Sequence, residues 1–236
     1  MAVWKDWSAE QERVLQQAQA GFESSHKTNI VYIDLAIAGQ TEQPMRLAFQ
    51  LFEQNPLSFA NFHALISQSH PGLGEAGHLL RYKGSAIYRI SRGQCIEGGD
   101  ITLDDGSGGD SIYGAQGFEP EAFGLSLRHD CAGLLSMVPH AGSAKCQSRF
   151  RICFGPMKAY DGEAVVIGRL VSGAMHLSRL ESLPVDVNDR PVKRVTLVEC
   201  GLIPGWSQIP APLPSTATAA VATLTDVSAR ADELRD

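Results

Sequence analysis

Hydrophobic and polar positions follow different periods in different parts of the chain. In residues 1–28 the apolar side chains recur every three or four positions, which predicts an amphipathic helix. Asn29–Ala38 and Met45–Phe52 are apolar and β-branched around a polar turn, which predicts a β-hairpin. Pro56–Ser67 returns to helical spacing and ends in a turn rich in proline and glycine. The remaining apolar runs are short and are separated by glycine-rich connections, densest at Gly98–Gly117.

Regularly spaced short strands with two helices predict a mainly β fold, a closed barrel whose ends are covered by helices. The helix in residues 1–28 would be an extension, either packed on its own domain or docked on another chain. Beyond Ile203 four prolines lead into a segment rich in Ala, Thr and Ser, which is typical of an extended or disordered linker. We therefore divide the chain into an extension at 1–28, a domain at 29–203 and a tail at 204–236.

Composition narrows the class of protein. The chain has 236 residues, 44% hydrophobic residues and a formal charge of -6, which favours one soluble domain with tails and gives no general attraction to nucleic acid. Its five cysteines form no C-x-x-C pair and its histidines lack ligand spacing, so neither a disulfide framework nor a metal site is indicated. Without a long apolar run we expect no membrane span, no cleaved leader and a cytoplasmic location.

A glycine cluster at Gly106–Gly109 is the only segment that suggests a phosphate-binding loop. It lacks the lysine that is followed by Ser or Thr in such loops, and no helix is predicted directly after it. We interpret the cluster as a structural loop and expect no cofactor.

Several blocks of the sequence resemble one family, in the same order. Tyr82–Ile90 followed by Glu97–Asp100 resembles the centre of the cyclophilin-type prolyl isomerase signature. Six further blocks agree with that family: Phe49–Phe52, Ala60–Phe62, Ser107–Gly114, Phe118–Phe123, Gly133–Met137 and Asp161–Gly168. The resemblance covers about residues 29–202 and implies a closed eight-stranded antiparallel β-barrel capped by two helices, with peptidyl-prolyl cis-trans isomerase activity.

Prolyl isomerisation makes and breaks no covalent bond, so the catalyst needs neither a nucleophile nor an acid–base pair. It must hold the proline ring and stabilise the twisted amide better than the planar one. The resemblance assigns the stabilisation of the twisted amide to Arg89. A guanidinium suits this role, since it is a permanently charged, fork-shaped donor. The alternative is an ordinary surface arginine on a strand.

The positions that would hold the proline ring differ from the family pattern. Gln94 and Cys95 stand where the family usually has Phe and Met, and Glu97 stands where it has Gln. Arg149 and Arg151 replace a cleft-facing Gln and the Phe at the pocket floor. By the same resemblance the other ligand contacts are Met137, His140, Ala159, Tyr160 and Ala164. These replacements predict that isomerase activity is weak or absent.

Two functions follow from this pattern. The first is a binding or assembly module in a larger complex, and the second is an active isomerase of unusual specificity that assists protein folding.

The positively charged side chains around the cleft predict a proline-containing or acidic protein segment as the ligand. These side chains are Arg89, Arg92, Lys145, Arg149 and Arg151. An internal ion pair between Glu97 and one of these arginines is the alternative.

The segments His70–Tyr82 and Leu183–Val192 suggest a subgroup within the family. They are similar to the corresponding segments of divergent cyclophilins associated with motile cilia. The resemblance implies a place in a large assembly on the axoneme of a cilium, near its microtubules. The alternative is a place in one of the nuclear or other large assemblies that contain cyclophilins.

Overall fold

The computed structural model describes residues 29–69, 72–75, 77–140 and 142–204. Eight antiparallel strands in these ranges close into a barrel in the order β1-β2-β7-β5-β6-β4-β3-β8. The strands are β1 Ile30–Ile37, β2 Met45–Leu51, β3 Ala86–Ser91, β4 Cys95–Gly98, β5 Leu134–Pro139, β6 Cys146–Cys153, β7 Val165–Ser172 and β8 Val195–Leu202. The predicted closed eight-stranded barrel is therefore confirmed, and the predicted hairpin is β1 and β2.

Three α-helices accompany the barrel in the described ranges: α1 Pro56–Ser67, α2 Ala122–Ser126 and α3 Ala174–Glu181. The predicted helix Pro56–Ser67 is α1, which starts with proline at its first position because that residue needs no intrahelical N–H bond. Helices α1 and α3 bury apolar side chains in the barrel core, whereas α2 has only five residues. The predicted N-terminal helix and the tail beyond residue 204 lie outside the described residues, and the domain boundaries stay predictions.

The alternation of side chains along β6 determines where the candidate site lies. Phe150 points into the barrel, where its ring packs edge-on against Phe62 and Tyr82 at centroid distances of 5.9 and 5.4 Å. Its neighbours Arg149 and Arg151 consequently point to the outer face. All eight residues of β6 are nonetheless buried, so other segments cover this outer face as well. Those covering segments, together with β3 and β4, form the candidate site.

Candidate functional site

Arg89 reaches the outer surface through a bulge in β3. Ile87 pairs with Gly98 and Arg89 pairs with Glu97, so Tyr88 is an extra residue on this strand. The Arg89 side chain is 46% exposed. A half-exposed guanidinium on this face is able to donate hydrogen bonds to the backbone of a bound peptide.

Glu97 and Arg151 form a buried ion pair beside Arg89. They are direct cross-strand partners on β4 and β6. The Nε and Nη2 atoms of Arg151 donate to Oε1 of Glu97 at 2.9 and 2.6 Å, and both side chains are at most 7% exposed. Burial by itself lowers the pKa of Arg151, but the Glu97 carboxylate raises it above its ordinary value, so the arginine stays charged. This pair is the internal alternative that the sequence left open.

Tyr160 lies over the guanidinium of Arg151. The guanidinium carbon is 3.6 Å from the centre of the tyrosine ring, a cation–π contact. Tyr160 and Cys95 also belong to one apolar cluster on this side of the barrel. Arg151, which the resemblance assigns to the floor of the proline pocket, thus lies beneath an aromatic ring.

A short polar chain anchors the turn that carries Tyr160. The backbone N–H of His129 donates to Oδ1 of Asp161 at 2.7 Å, and Nδ1 of the same histidine lies 3.3 Å from that oxygen. Nε2 of His129 lies 2.8 Å from Oγ of Ser136, which is the cross-strand partner of Arg151. Burial lowers the pKa of His129, which keeps the ring neutral at neutral pH. These hydrogen bonds connect Asp161, the neighbour of Tyr160, through His129 to Ser136 on β5.

Arg149 is held by backbone carbonyl groups. Its Nη2 donates to the carbonyl of Pro139 at 2.7 Å and its Nη1 donates to that of Gly106. Gly106 has a φ of +88°, and a Cβ atom there would lie 2.6 Å from the Tyr88 ring, so only glycine fits. The arginine is therefore occupied inside the protein, as Arg151 is.

Asp100 organises the glycine-rich loop that reaches Arg149. Its carboxylate accepts hydrogen bonds from the amides of Thr102, Leu103, Gly106 and Gly108. Burial would raise the pKa of Asp100, but these amides lower it to about 2. The cluster that resembled a phosphate-binding loop points its amides at a carboxylate of the protein itself.

Several polar atoms at this site are buried without a hydrogen-bond partner among the described residues. They are Oη of Tyr88, Nδ1 of His140, Nε of Arg149 and Nη1 of Arg151. An unmade hydrogen bond of a buried group costs about 1–3 kcal/mol. A ligand group that reached these atoms would gain the missing hydrogen bonds.

The structure gathers only part of the predicted site. Cys95, Glu97, Arg151 and Tyr160 lie together, with Arg89 across from Glu97. Burial raises the pKa of the Cys95 thiol to about 11, so it is protonated at neutral pH. Of the other predicted contacts, Gln94 and Ala159 are exposed, His140 is half-buried in the β5–β6 turn, and Ala164 is fully buried.

Met137 lies apart from the outer face. It pairs with Phe150 across β5 and β6 and is fully buried in the barrel core. Its assignment as a ligand contact came from its place in a family block rather than from the direction of its side chain.

Sequence reasoning missed three neighbours of the site. Tyr88 is brought to the outer face by the bulge, which the sequence does not mark. His129 is placed there by its contact with Asp161, 32 residues away in sequence, and Asp189 by its contact with Ser91, 98 residues away. The Asn188-Asp189 turn dipeptide was a usable signal, because these residue types tolerate the left-handed conformation that Asp189 adopts with a φ of +62°.

No group of three or more His, Cys, Asp or Glu residues is arranged to hold a metal ion in the part of the chain that the structure describes. Among the same residues no helix is both long and apolar enough to cross a membrane.

Comparison with known proteins adds independent information. The family model described as "Cyclophilin type peptidyl-prolyl cis-trans isomerase/CLD" matches residues 33–202. A curated protein of Rhizopus delemar, described as peptidyl-prolyl cis-trans isomerase cyp11, is 40% identical over 173 residues. This alignment covers 72% of the chain and 49% of the relative, so the chain spans about half the length of the curated relative that it matches.

Proposed function

The chain belongs to the cyclophilin-type peptidyl-prolyl cis-trans isomerase family, and from that premise we propose that it binds proline-containing protein segments as an assembly module with weak or lost isomerase activity. The observation that carries this proposal is the buried Glu97–Arg151 pair beneath Tyr160. By the family resemblance, Arg151 stands where the family has the Phe at the floor of the proline pocket, and Glu97 stands where it has Gln.

The free energy of the contacts that would hold the proline ring supports weak catalysis. Burying an apolar group the size of proline stabilises a complex by about 1.5–3 kcal/mol. A charged pair at the floor removes that gain and adds the cost of desolvating the charges. About 1.4 kcal/mol corresponds to a tenfold change in rate. Because neighbouring contacts are less than additive, losing two or three of them lowers catalytic efficiency by roughly two to four decades.

Exchange spectroscopy on X-Pro peptides tests the proposal. We expect the purified full chain to accelerate cis–trans exchange at least roughly a hundredfold less than an active cyclophilin measured alongside. Any remaining acceleration should disappear in Arg89→Ala, because Arg89 is the exposed donor on the outer face. A rate equal to that of the active cyclophilin across a varied peptide panel would refute the proposal.

The second candidate is an active isomerase of unusual specificity that assists folding. Arg89 favours it, because the residue to which the family resemblance assigns catalysis is present and accessible. In that case a few peptides would show fast exchange that depends on Arg89, while the rest of the panel would not respond.

We also propose that the chain acts within a large assembly, on a ciliary axoneme in the cytoplasm. Support comes from the resemblance of residues 70–82 and 183–192 to cyclophilins associated with cilia. We expect the full chain to co-sediment with isolated axonemes and to resist extraction by salt. Recovery of all of it as a monomer in the soluble fraction of ciliated cells would contradict this location.

An acidic segment as the ligand stays a prediction. The internal partners of Arg149 and Arg151 do not favour it, since both guanidinium groups already donate to acceptors within the protein, and the one nitrogen of each that has no partner among the described residues is buried. Arg89 is then the cation that an acidic ligand would meet first.

A further inference from the structure

Residues 183–192 form a small hairpin in front of β8. Val185 bridges Pro191, and the amide of Asp186 donates to the carbonyl of Arg190 at 2.9 Å. The carboxylate of Asp186 accepts from the amides of Asn188 and Arg190 at 2.8 and 3.0 Å. These hydrogen bonds join polar groups of the turn to one another, so the hairpin has a defined shape.

Asp189 connects this hairpin to the strand that carries Arg89. Its carbonyl accepts from the amide of Ile90 at 2.8 Å, and its Oδ2 accepts from Oγ of Ser91 at 2.7 Å. The residue has a φ of +62°, which Asp and Asn tolerate better than most side chains. One backbone bond and one side-chain bond therefore fix the carboxylate against β3.

The fixed carboxylate lies beside the guanidinium of Arg89. Oδ2 of Asp189 is 3.4 Å from Nη2 of Arg89, and the two side chains are 41% and 46% exposed. The hydrogen bond from Ser91, followed by the charge of Arg89, lowers the pKa of Asp189, so it is ionised at neutral pH. Both contacts use Oδ2, and Oδ1 accepts no hydrogen bond from any residue that the structure describes.

We propose that Asp189 determines ligand specificity by making the cleft prefer proline-containing segments with a Lys or Arg near the proline over segments with an Asp or Glu. A basic side chain of the ligand forms an ion pair with Oδ1 of Asp189, whereas an acidic side chain is repelled by the Asp189 carboxylate. The inference rests on the proposed function, because it requires the ligand to bind next to Arg89.

The expected size of the preference follows from the solvent exposure of Asp189 and Arg89. Solvent-exposed ion pairs contribute little to binding, and their strength falls as salt screens the charges. We expect a preference of about two- to fivefold at low ionic strength. The positive charge of Arg89 favours acidic side chains of the ligand and so opposes the effect of Asp189. Removing the Asp189 charge should therefore abolish the preference for basic segments or reverse it toward acidic ones.

An NMR titration of the full chain with two peptides measures this preference. The peptides are identical except for Lys or Glu at the residue preceding the X-Pro pair. We expect the Lys peptide to bind about two- to fivefold more tightly to the wild type, and the ratio of dissociation constants to fall to one or below in Asp189→Asn. Asparagine tolerates the same backbone conformation and can still accept the bond from Ser91.

Two matched controls separate this effect from general changes. Glu53→Gln makes the same change of net charge at an exposed position in the turn before α1, and should leave the ratio unchanged. Val187→Ala alters the hairpin at a fully exposed side chain without changing charge, and should leave the ratio unchanged as well. High salt should bring the wild-type ratio toward one.

The outcomes distinguish the two proposals. If both peptides bind the wild type with equal affinity, or if Asp189→Asn keeps the wild-type ratio, the Asp189 inference is overturned while ligand binding stands. If neither peptide binds the wild type or the variant, the proposed function fails and the inference fails with it.

Discussion

Glu97→Ala is expected to lower the free energy of unfolding by about 3–5 kcal/mol, the usual result of removing one partner of a buried ion pair. The substitution leaves the Arg151 guanidinium buried without its counter-charge, and one of its nitrogens already has no partner among the described residues. The contact with the Tyr160 ring is retained and offsets only part of the loss. A domain is commonly stable by only about 5–15 kcal/mol, so the expected loss is a large fraction of the total stability.

Urea denaturation followed by circular dichroism measures this loss. The exposed pair of Lys83 and Glu199 supplies the control, because Glu199→Ala removes a carboxylate from an ion pair in which both side chains are about 40% exposed. We expect that control to change stability by less than about 1 kcal/mol. Equal effects of the two substitutions would show that the Glu97–Arg151 pair is not buried in solution.

Replacing both partners gives the complementary result. In Glu97→Leu with Arg151→Met, no charge is left unpaired, and apolar contacts take the place of the ion pair. Such replacements are often neutral or stabilising by about 1–4 kcal/mol. The double variant should therefore be far more stable than Glu97→Ala, which identifies the unpaired charge as the origin of the destabilisation.

The sequence predicted the barrel because local and long-range signals agree on it. The α1 stripe of Phe59, Phe62, Leu65 and Ile66 is buried as the helical spacing requires. The alternation on β6 likewise predicted that Arg149 and Arg151 share one face. Periodicity identifies which face a side chain occupies, and here that face was correctly assigned.

Periodicity does not reveal what covers a face. The cations around the cleft predicted a proline-containing or acidic ligand, with an internal ion pair of Glu97 as the alternative. In the structure Tyr160 covers Arg151, and the loop held by Asp100 reaches Arg149. These covers come from segments separated in sequence by 9 and by 43 residues from the arginines they contact. The bulge at Tyr88 and the docking of Asp189 on β3 depend on tertiary contacts in the same way. Residue roles at this site are therefore less predictable than the fold.

Restoring the apolar pocket is expected to raise isomerase efficiency by roughly two to four decades. The variant combines five substitutions toward the family pattern: Gln94→Phe, Cys95→Met, Glu97→Gln, Arg151→Phe and Tyr160→Leu. The last follows from the resemblance of residues 159–162 to the family's Trp-Leu-Asp-Gly block. The reason is that the buried ion pair and the ring above it are replaced by side chains able to enclose a proline ring. Each recovered contact contributes about 1.5–3 kcal/mol, with less than full additivity among neighbours.

Cis–trans exchange rates of X-Pro peptides measure the gain, with wild type and variant compared at equal concentration. The matched control adds Arg89→Ala to the restored pocket, which should remove most of the gain, because the ring would be held without the donor that stabilises the twisted amide. The thermal transition of each variant shows whether the larger side chains are accommodated. If a folded, five-substituted variant is no faster than the wild type, the altered pocket is not what limits catalysis, and the origin of weak activity must be sought at Arg89 and its contact with Asp189.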